Sequence, residues 1–345
     1  MKKNPYTLLF GKEPKQFIAR RYETSTVIEN FDADEPTEQL YLITGVRGSG
    51  KTVFMTEVSN RFKKDKDWVV VELSSEMDIL ESLVSELSSD NNLVQIFKTA
   101  KINLSFLGFG LEIEGAAPIT NVKTAITRML ESMKKHNKRL LITIDEVVSS
   151  KSMREFASTY QIFIRQDLPI YLLMTGLYEN IDELQNEKNL TFLYRAPRIA
   201  LKPLNTRSMA DNYMDNIDID AETAMTMAKM TMGYSFAFQV LGYFVWEENG
   251  KYEKVIDEYK KYLGDFVYDK IWSEISNKDR KVLYGIASTE GGRVKAVREF
   301  LEMETNEFNP YRKRLVKKGL VDGEKYGYVS LTLPYFNEYI LDNYE

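Results

Sequence analysis

The chain has 345 residues, 43% of them hydrophobic and 28% charged, with a formal net charge of −5. That balance supports packed cores and excludes a chain coated along its length in nucleic acid, although one local basic face stays open. There is no cysteine, which excludes disulfides, thiolate metal sites and cysteine nucleophiles.

The length suggests two or three domains. No stretch approaches the roughly 18 apolar residues of a membrane helix. The start, Met1-Lys2-Lys3, runs into Lys12, Glu13 and Lys15 before any apolar leader region forms. The expectation is a cytoplasmic protein without a membrane segment. The single histidine, His136, sits in the polar run 134–138 and is expected to be solvated.

Five short apolar runs punctuate the first 201 residues: 39–44 (QLYLIT), 68–73 (WVVVEL), 139–144 (RLLITI), 170–174 (IYLLM) and 198–201 (RIAL). Most are apolar at consecutive positions, as in strands buried on both faces of a parallel sheet. Helical patterns lie between them, at 51–63, 75–88, 122–136 and 152–165. In the second, Met77, Ile79, Leu80, Leu83, Val84 and Leu87 fall on one face. Alternating strands and helices predict an α/β doubly wound parallel sheet.

Residues 102–115 (INLSFLGFGLEIEG) break the rhythm. They alternate and carry glycines, which predicts an inserted β-hairpin. After Pro203 the pattern turns helical, with helices at 221–232 and 235–246 separated by Gly233. Met225, Met227, Met230 and Met232 are expected to be core and interface filler. From 277 onward three short helices, 278–288, 293–303 and 308–318, precede a turn at 320–323 and a run at 326–333. That is the layout of a winged helix. The division expected is 1–204, 205–270 and 271–345.

Gly45-Val46-Arg47-Gly48-Ser49-Gly50-Lys51-Thr52 matches the phosphate-binding pattern G-x-x-x-x-G-K-[ST] in full, between a buried strand and a helix. Glycines let successive backbone N–H groups turn toward phosphate oxygens, and the helix start adds its positive end. Lys51 can reach the β- and γ-phosphates, and Thr52 offers a hydroxyl to Mg²⁺. At 142–146 (ITIDE) a buried strand ends in two acids. Asp145 is the candidate for the Mg²⁺ shell and Glu146 for the base that activates water. The alternative is that both acids only cap the next helix. Thr175 ends the fourth strand and either senses the γ-phosphate or caps a turn.

With these motifs the chain resembles the AAA+ superfamily, in the archaeal and bacterial branch related to origin-recognition and STAND ATPases. Residues 17–23 (FIARRYE) resemble the box that lines the adenine pocket there, which implies contact from Ile18 and Ala19. Residues 191–198 (TFLYRAPR) occupy the place where such proteins carry an arginine finger. Arg195 is the candidate and Arg198 the second. The alternative for both is a structural ion pair. Residues 233–236 (GYSF) resemble the start of a lid helix, without the arginine that usually senses nucleotide near Phe236.

The resemblance implies ATP and ADP as nucleotides, Mg²⁺ as metal and a possible homo-oligomer. Five cations at 312, 313, 314, 317 and 318 crowd the third helix of the C-terminal region, which raises DNA contact. Against it, residues 277–345 hold twelve Lys or Arg and eleven Asp or Glu, a net of +1. Winged helices also dock proteins. The expectation is a slow ATP-hydrolysing switch. The alternatives are a nucleotide-gated DNA-binding regulator or loader, and an ADP-holding scaffold. The protein partner and the process served stay open.

Overall fold

The computed structural model describes residues 3–9 and 14–344. Met1, Lys2, Lys12, Glu13 and Glu345, used above, lie outside the described residues. The chain divides into two compact units. One comprises Met1–Arg20, Gly45–Gly50 and Leu201–Glu345, the other Arg21–Thr44 and Lys51–Ala200.

The second unit is built on one parallel sheet. Its strands are β1 (Leu40–Thr44), β2 (Trp68–Ser74), β3 (Arg139–Asp145), β4 (Ile170–Gly176) and β5 (Arg198–Ala200), in the order β2-β3-β4-β1-β5. β1 and β4 lie inside the sheet and are buried at every position, which is why both read as unbroken apolar runs. β2 is an edge strand, and there Glu72 and Ser74 are exposed.

Side-chain alternation divides the sheet into two faces. Leu140, Ile142 and Ile144 of β3 join Leu42, Leu172 and Met174 in one core. Helices Ile79–Ser89, Asn91–Thr99, Val122–Lys135 and Lys151–Arg165 add Leu83, Phe97, Met129 and Phe156 to it, all fully buried. The residues between, Tyr41 and Tyr171, enter an aromatic cluster with Phe31, Phe62 and Trp68, at ring separations of 4.2–6.2 Å. Phe31 and Phe62 come from helices Arg21–Asp32 and Lys51–Phe62. The helix starts are locally encoded: Asp78, Asp90, Asn121 and Ser150 each accept a backbone N–H of the first turn.

The hairpin expected at 102–115 does not form. The segment holds a 3₁₀ turn at Ser105–Leu107, closed by Gly108 in the left-handed region at φ 78°. Leu104 N donates to Leu111 O at 2.7 Å. The Asn103 amide bridges to the carbonyls of Ile113 and Ala116. A side chain thus takes the place of a strand ladder, and buried Leu104 and Leu111 explain the alternation.

The first unit is largely helical, with its own core around Tyr213, Phe238, Tyr259, Leu283 and Phe336. Met227 is fully buried there, but Met232, expected as filler, is 45% exposed in a left-handed turn at φ 50°. Helices Asn277–Ser288, Val294–Leu301 and Thr305–Lys318 precede an antiparallel pair, β6 (Val321–Asp322) and β7 (Ser330–Leu331). A further helix, Phe336–Asn343, follows and was not foreseen.

Candidate functional site

Strand register assembles the acidic part of the site. Ile144 pairs with Met174, so the next residues, Asp145 and Thr175, stand side by side at the carboxyl ends of β3 and β4. Thr175 is fully buried and donates its hydroxyl to Asp145 Oδ1. Thr52, second residue of the helix Lys51–Phe62, donates to Asp145 Oδ2 at 2.7 Å. The carboxylate of Asp145 is therefore held from both sides.

Glu146 has an unusual backbone. It sits at φ 49°, a left-handed conformation costly for a residue with a Cβ. Four bonds hold it there. Its N–H reaches Asp145 Oδ1 at 3.0 Å and Thr175 Oγ1 at 3.3 Å. Its carbonyl accepts from Ser75 Oγ at 3.2 Å, and the following N–H, of Val147, donates to Thr175 O at 2.8 Å. The Glu146 side chain is exposed. Ser75 escaped the sequence reading. Its only signal is a hydroxyl placed just beyond the apolar run of β2.

Lys51 is only 8% exposed, at the first position of its helix. Ahead of it, Gly45, Val46, Arg47, Gly48, Ser49 and Gly50 form a turn closed by Ser49 N donating to Val46 O at 3.1 Å. Gly48 and Gly50 take φ 74° and 91°. In the segment resembling the adenine box, Ile18 is half-buried against the helical core of its unit and Ala19 is exposed. The residue there that reaches the loop is Arg20, whose guanidinium donates to Ser49 O at 3.1 Å and to the Lys202 carbonyl.

The two candidate finger arginines have different surroundings. Arg198 is engaged: it donates to Gln185 Oε1 and lies 4.8 Å from the centre of the Tyr178 ring. Arg195 ends the 3₁₀ turn Leu193–Arg195 and is exposed. His136 is exposed at the end of its helix, with Nδ1 2.9 Å from Ser132 O.

The cations of Thr305–Lys318 are partly spent inside the fold. Arg314 bonds Asp279, 1% exposed, at 2.6 and 3.0 Å, and Lys318 Nζ lies 3.9 Å from the same carboxylate. Arg312 donates to Gly323 O at 3.2 Å.

A family model described as an ATPase domain predominantly from Archaea matches residues 19–197, just over half of the chain. A second, described as a domain of unknown function (DUF8462), matches residues 265–340. Comparison with curated proteins gave no match. Among solved structures, the Walker-type ATPase Paby2304 of Pyrococcus abyssi superposes with a TM-score of 0.67 at 15% identity, covering 95% of this chain and 96% of the other. The ORC2 protein of Aeropyrum pernix, determined as ADPNP–ADP complexes, gives a TM-score of 0.59 at 14% identity, covering 97% and 96%. At these identities the likeness is one of fold, and the fold is the AAA+ type shared with origin-recognition proteins. No helix among the described residues is long and apolar enough to cross a membrane. The chain belongs to the family of ATPase domains found predominantly in Archaea.

Proposed function

We propose that this chain binds ATP with Mg²⁺ at residues 45–52 and hydrolyses it slowly to switch its conformation or assembly state. One observation carries the reading. The hydroxyls of Thr52 and Thr175 converge on Asp145, and Glu146 follows directly in a constrained backbone with its carboxylate exposed. A chain that only bound nucleotide would have no need of a second acid held in that way.

The donors fit the group. Thr52 Oγ1 and the Asp145 carboxylate form an all-oxygen pair, the chemistry that hard divalent ions take. Mg²⁺ bound there would neutralise charge on the β- and γ-phosphates. Lys51 adds a cation for the same oxygens, and the N–H groups of residues 45–50 offer neutral donors. Glu146 is the base that takes a proton from the attacking water. Thr175 keeps Asp145 and Glu146 in register. Ile18 and Ala19 are assigned to the adenine. Arg195 is assigned to the nucleotide of a neighbouring copy, where its charge would stabilise the transition state. The A. pernix relative, determined with ADPNP and ADP, supports the nucleotide assignment. The corresponding domains are 1–204 for nucleotide, 205–270 as lid and 271–345 as winged helix.

The DNA-binding alternative has less support, because Arg312, Arg314 and Lys318 already serve internal partners. The test is steady-state ATP hydrolysis by the wild type, Glu146→Gln and Arg195→Ala across protein concentration, with and without duplex DNA. The expected result is a rate per protomer that rises with concentration. Glu146→Gln should lower it about 10²-fold or more while nucleotide still binds. A wild type that binds nucleotide and shows no turnover under any condition would overturn the hydrolase reading.

A further inference from the structure

The phosphate-binding segment is gripped from behind. Three consecutive carbonyls of the loop each accept a hydrogen bond from three consecutive residues at the start of the helix Ser235–Glu247. Tyr234 Oη donates to Arg47 O at 2.6 Å. Phe236 N donates to Gly48 O at 3.1 Å. Ser235 Oγ donates to Ser49 O at 2.9 Å. Both partners of each bond lie in the same compact unit.

A trans peptide plane points its N–H opposite to its C=O. Fixing the carbonyls of residues 47, 48 and 49 therefore fixes the N–H groups of Gly48, Ser49 and Gly50. The Ser49 N–H turns to Val46 O and closes the turn. The peptides 47–48 and 49–50 present the N–H groups of Gly48 and Gly50 away from the helix. The helix gains as well, since Phe236 N–H is one of the first-turn donors that a helix leaves without an internal acceptor.

The fit is tight. A Cβ on Gly48 would lie 2.3 Å from Tyr234 Oη and 3.0 Å from Phe236 Cβ. Gly48 occupies an unspecified place in the G-x-x-x-x-G-K-[ST] pattern, so the motif does not demand glycine there. The approach of Tyr234, together with φ 74°, does. Tyr234 is 5% exposed, and its hydroxyl donates to the loop carbonyl of Arg47.

We propose that Tyr234 and Ser235 are positioning residues for phosphate binding: they hold the loop carbonyls outward so that the loop N–H groups face the nucleotide. This rests on the reading that residues 45–52 hold nucleotide phosphates. It follows that nucleotide affinity depends on the lid helix without any lid side chain touching the phosphates, which answers the lack of an arginine near Phe236. A movement that withdraws the helix start releases the Arg47 and Gly48 carbonyls and leaves Ser49 O to Arg20 alone, and the loop loses its preset shape.

The test compares wild type with Tyr234→Phe, Ser235→Ala, the double variant, Ser235→Thr and Lys51→Ala. Affinity for a fluorescent ATP analogue with Mg²⁺, KM and kcat for ATP, and melting temperature are measured for each. The expected result is an affinity loss of about tenfold for Tyr234→Phe and for Ser235→Ala, larger in the double variant. KM should rise in step with that loss and kcat should stay within about twofold. Ser235→Thr, which keeps a hydroxyl, should restore affinity. Variants that melt lower but bind as tightly as wild type would reduce the contact to a structural one and overturn the proposal. So would a loss at Ser235→Ala that Ser235→Thr does not restore. A wild type that binds no nucleotide, or a Lys51→Ala protein that binds as well as wild type, overturns the nucleotide reading itself, and the proposal with it.

Discussion

Thr175, buried at the end of β4, donates its hydroxyl to Asp145 Oδ1 on the neighbouring strand and also accepts the Glu146 N–H. One side chain thus sets the positions of both acids. Thr175→Val keeps the shape and deletes the hydroxyl. The Asp145 oxygen and the Glu146 N–H each lose a partner. The Glu146 N–H and Asp145 Oδ1 keep each other as partners, so stability should fall by about 0.5–1.5 kcal/mol, the net worth of a lost hydrogen bond. Turnover should fall about tenfold or more, with KM for ATP little changed. Urea unfolding and steady-state kinetics on the same preparation check both. An unchanged kcat would remove Thr175 from the catalytic arrangement.

Arg195 and Arg198 separate cleanly in the same kind of experiment. Arg198 is bonded to Gln185 and stacked on Tyr178, so Arg198→Ala should cost about 1–2 kcal/mol of stability whatever the assembly state. Arg195 is exposed, so Arg195→Ala should unfold within about 0.5 kcal/mol of wild type. It should instead abolish the concentration dependence of ATP turnover. Mixing Arg195→Ala with Glu146→Gln protein gives the sharper reading. If each copy completes its neighbour's site, the mixture regains activity that neither variant has alone. No regain would exclude Arg195 as a finger supplied between copies.

The sheet was legible because its inner strands β1, β3 and β4 are buried on both faces. Consecutive apolar residues such as 140–142 and 170–174 leave little other choice, and each strand lies within two residues of its expected bounds. Asp145 and Glu146 were legible for the same reason, as acids ending such a run. Other parts depend on contacts that leave no periodic trace. The alternation at 102–115 marks two buried leucines, Leu104 and Leu111, in a loop that the Asn103 amide ties to the carbonyls of Ile113 and Ala116, and alternation alone does not distinguish this from a hairpin. The short helix Phe336–Asn343 hides behind Pro334 and a left-handed Tyr335. The sequence ranks Arg195 ahead of Arg198 without showing what either touches, and only the contacts of Arg198 with Gln185 and Tyr178 commit it. Gly48 and Tyr234 are 186 residues apart, so nothing local reveals that one makes room for the other.

The tyrosines predict behaviour in alkali. Burial pushes the phenols of Tyr160, Tyr213, Tyr259 and Tyr268 well above the usual range, since the charged form is penalised away from water. Their pKa values are higher folded than unfolded. Their contribution to stability is therefore complete below the unfolded value of about 10 and is lost as pH rises above it. Stability should be insensitive to these groups between pH 7 and pH 9 and fall steeply beyond about pH 10. Melting temperature followed against pH, with tyrosinate absorbance as a second signal, checks this. Ionisation of the whole tyrosine set before any loss of helical signal would show that these phenols are not protected.

Asp279 supplies the last prediction. It is almost fully buried at the start of the helix Asn277–Ser288 and accepts from Arg314, with Lys318 and the Ser276 hydroxyl beside it. A buried carboxylate is tolerated only while its partners stay. Arg314 is 42% exposed, which places its own share at the lower end of buried pairs. Arg314→Gln should cost about 2–3 kcal/mol. Lys313→Gln, on an exposed neighbour, should change stability by less than about 0.5 kcal/mol. The same two variants decide what the basic helix is for. If its cations hold the domain together, Arg314→Gln lowers the urea midpoint, and neither variant changes the salt dependence of duplex binding. If the helix is also a DNA-contacting surface, Arg314→Gln still lowers the urea midpoint, because the pair with Asp279 is lost either way. Each variant then flattens the slope of log affinity against log salt by about one.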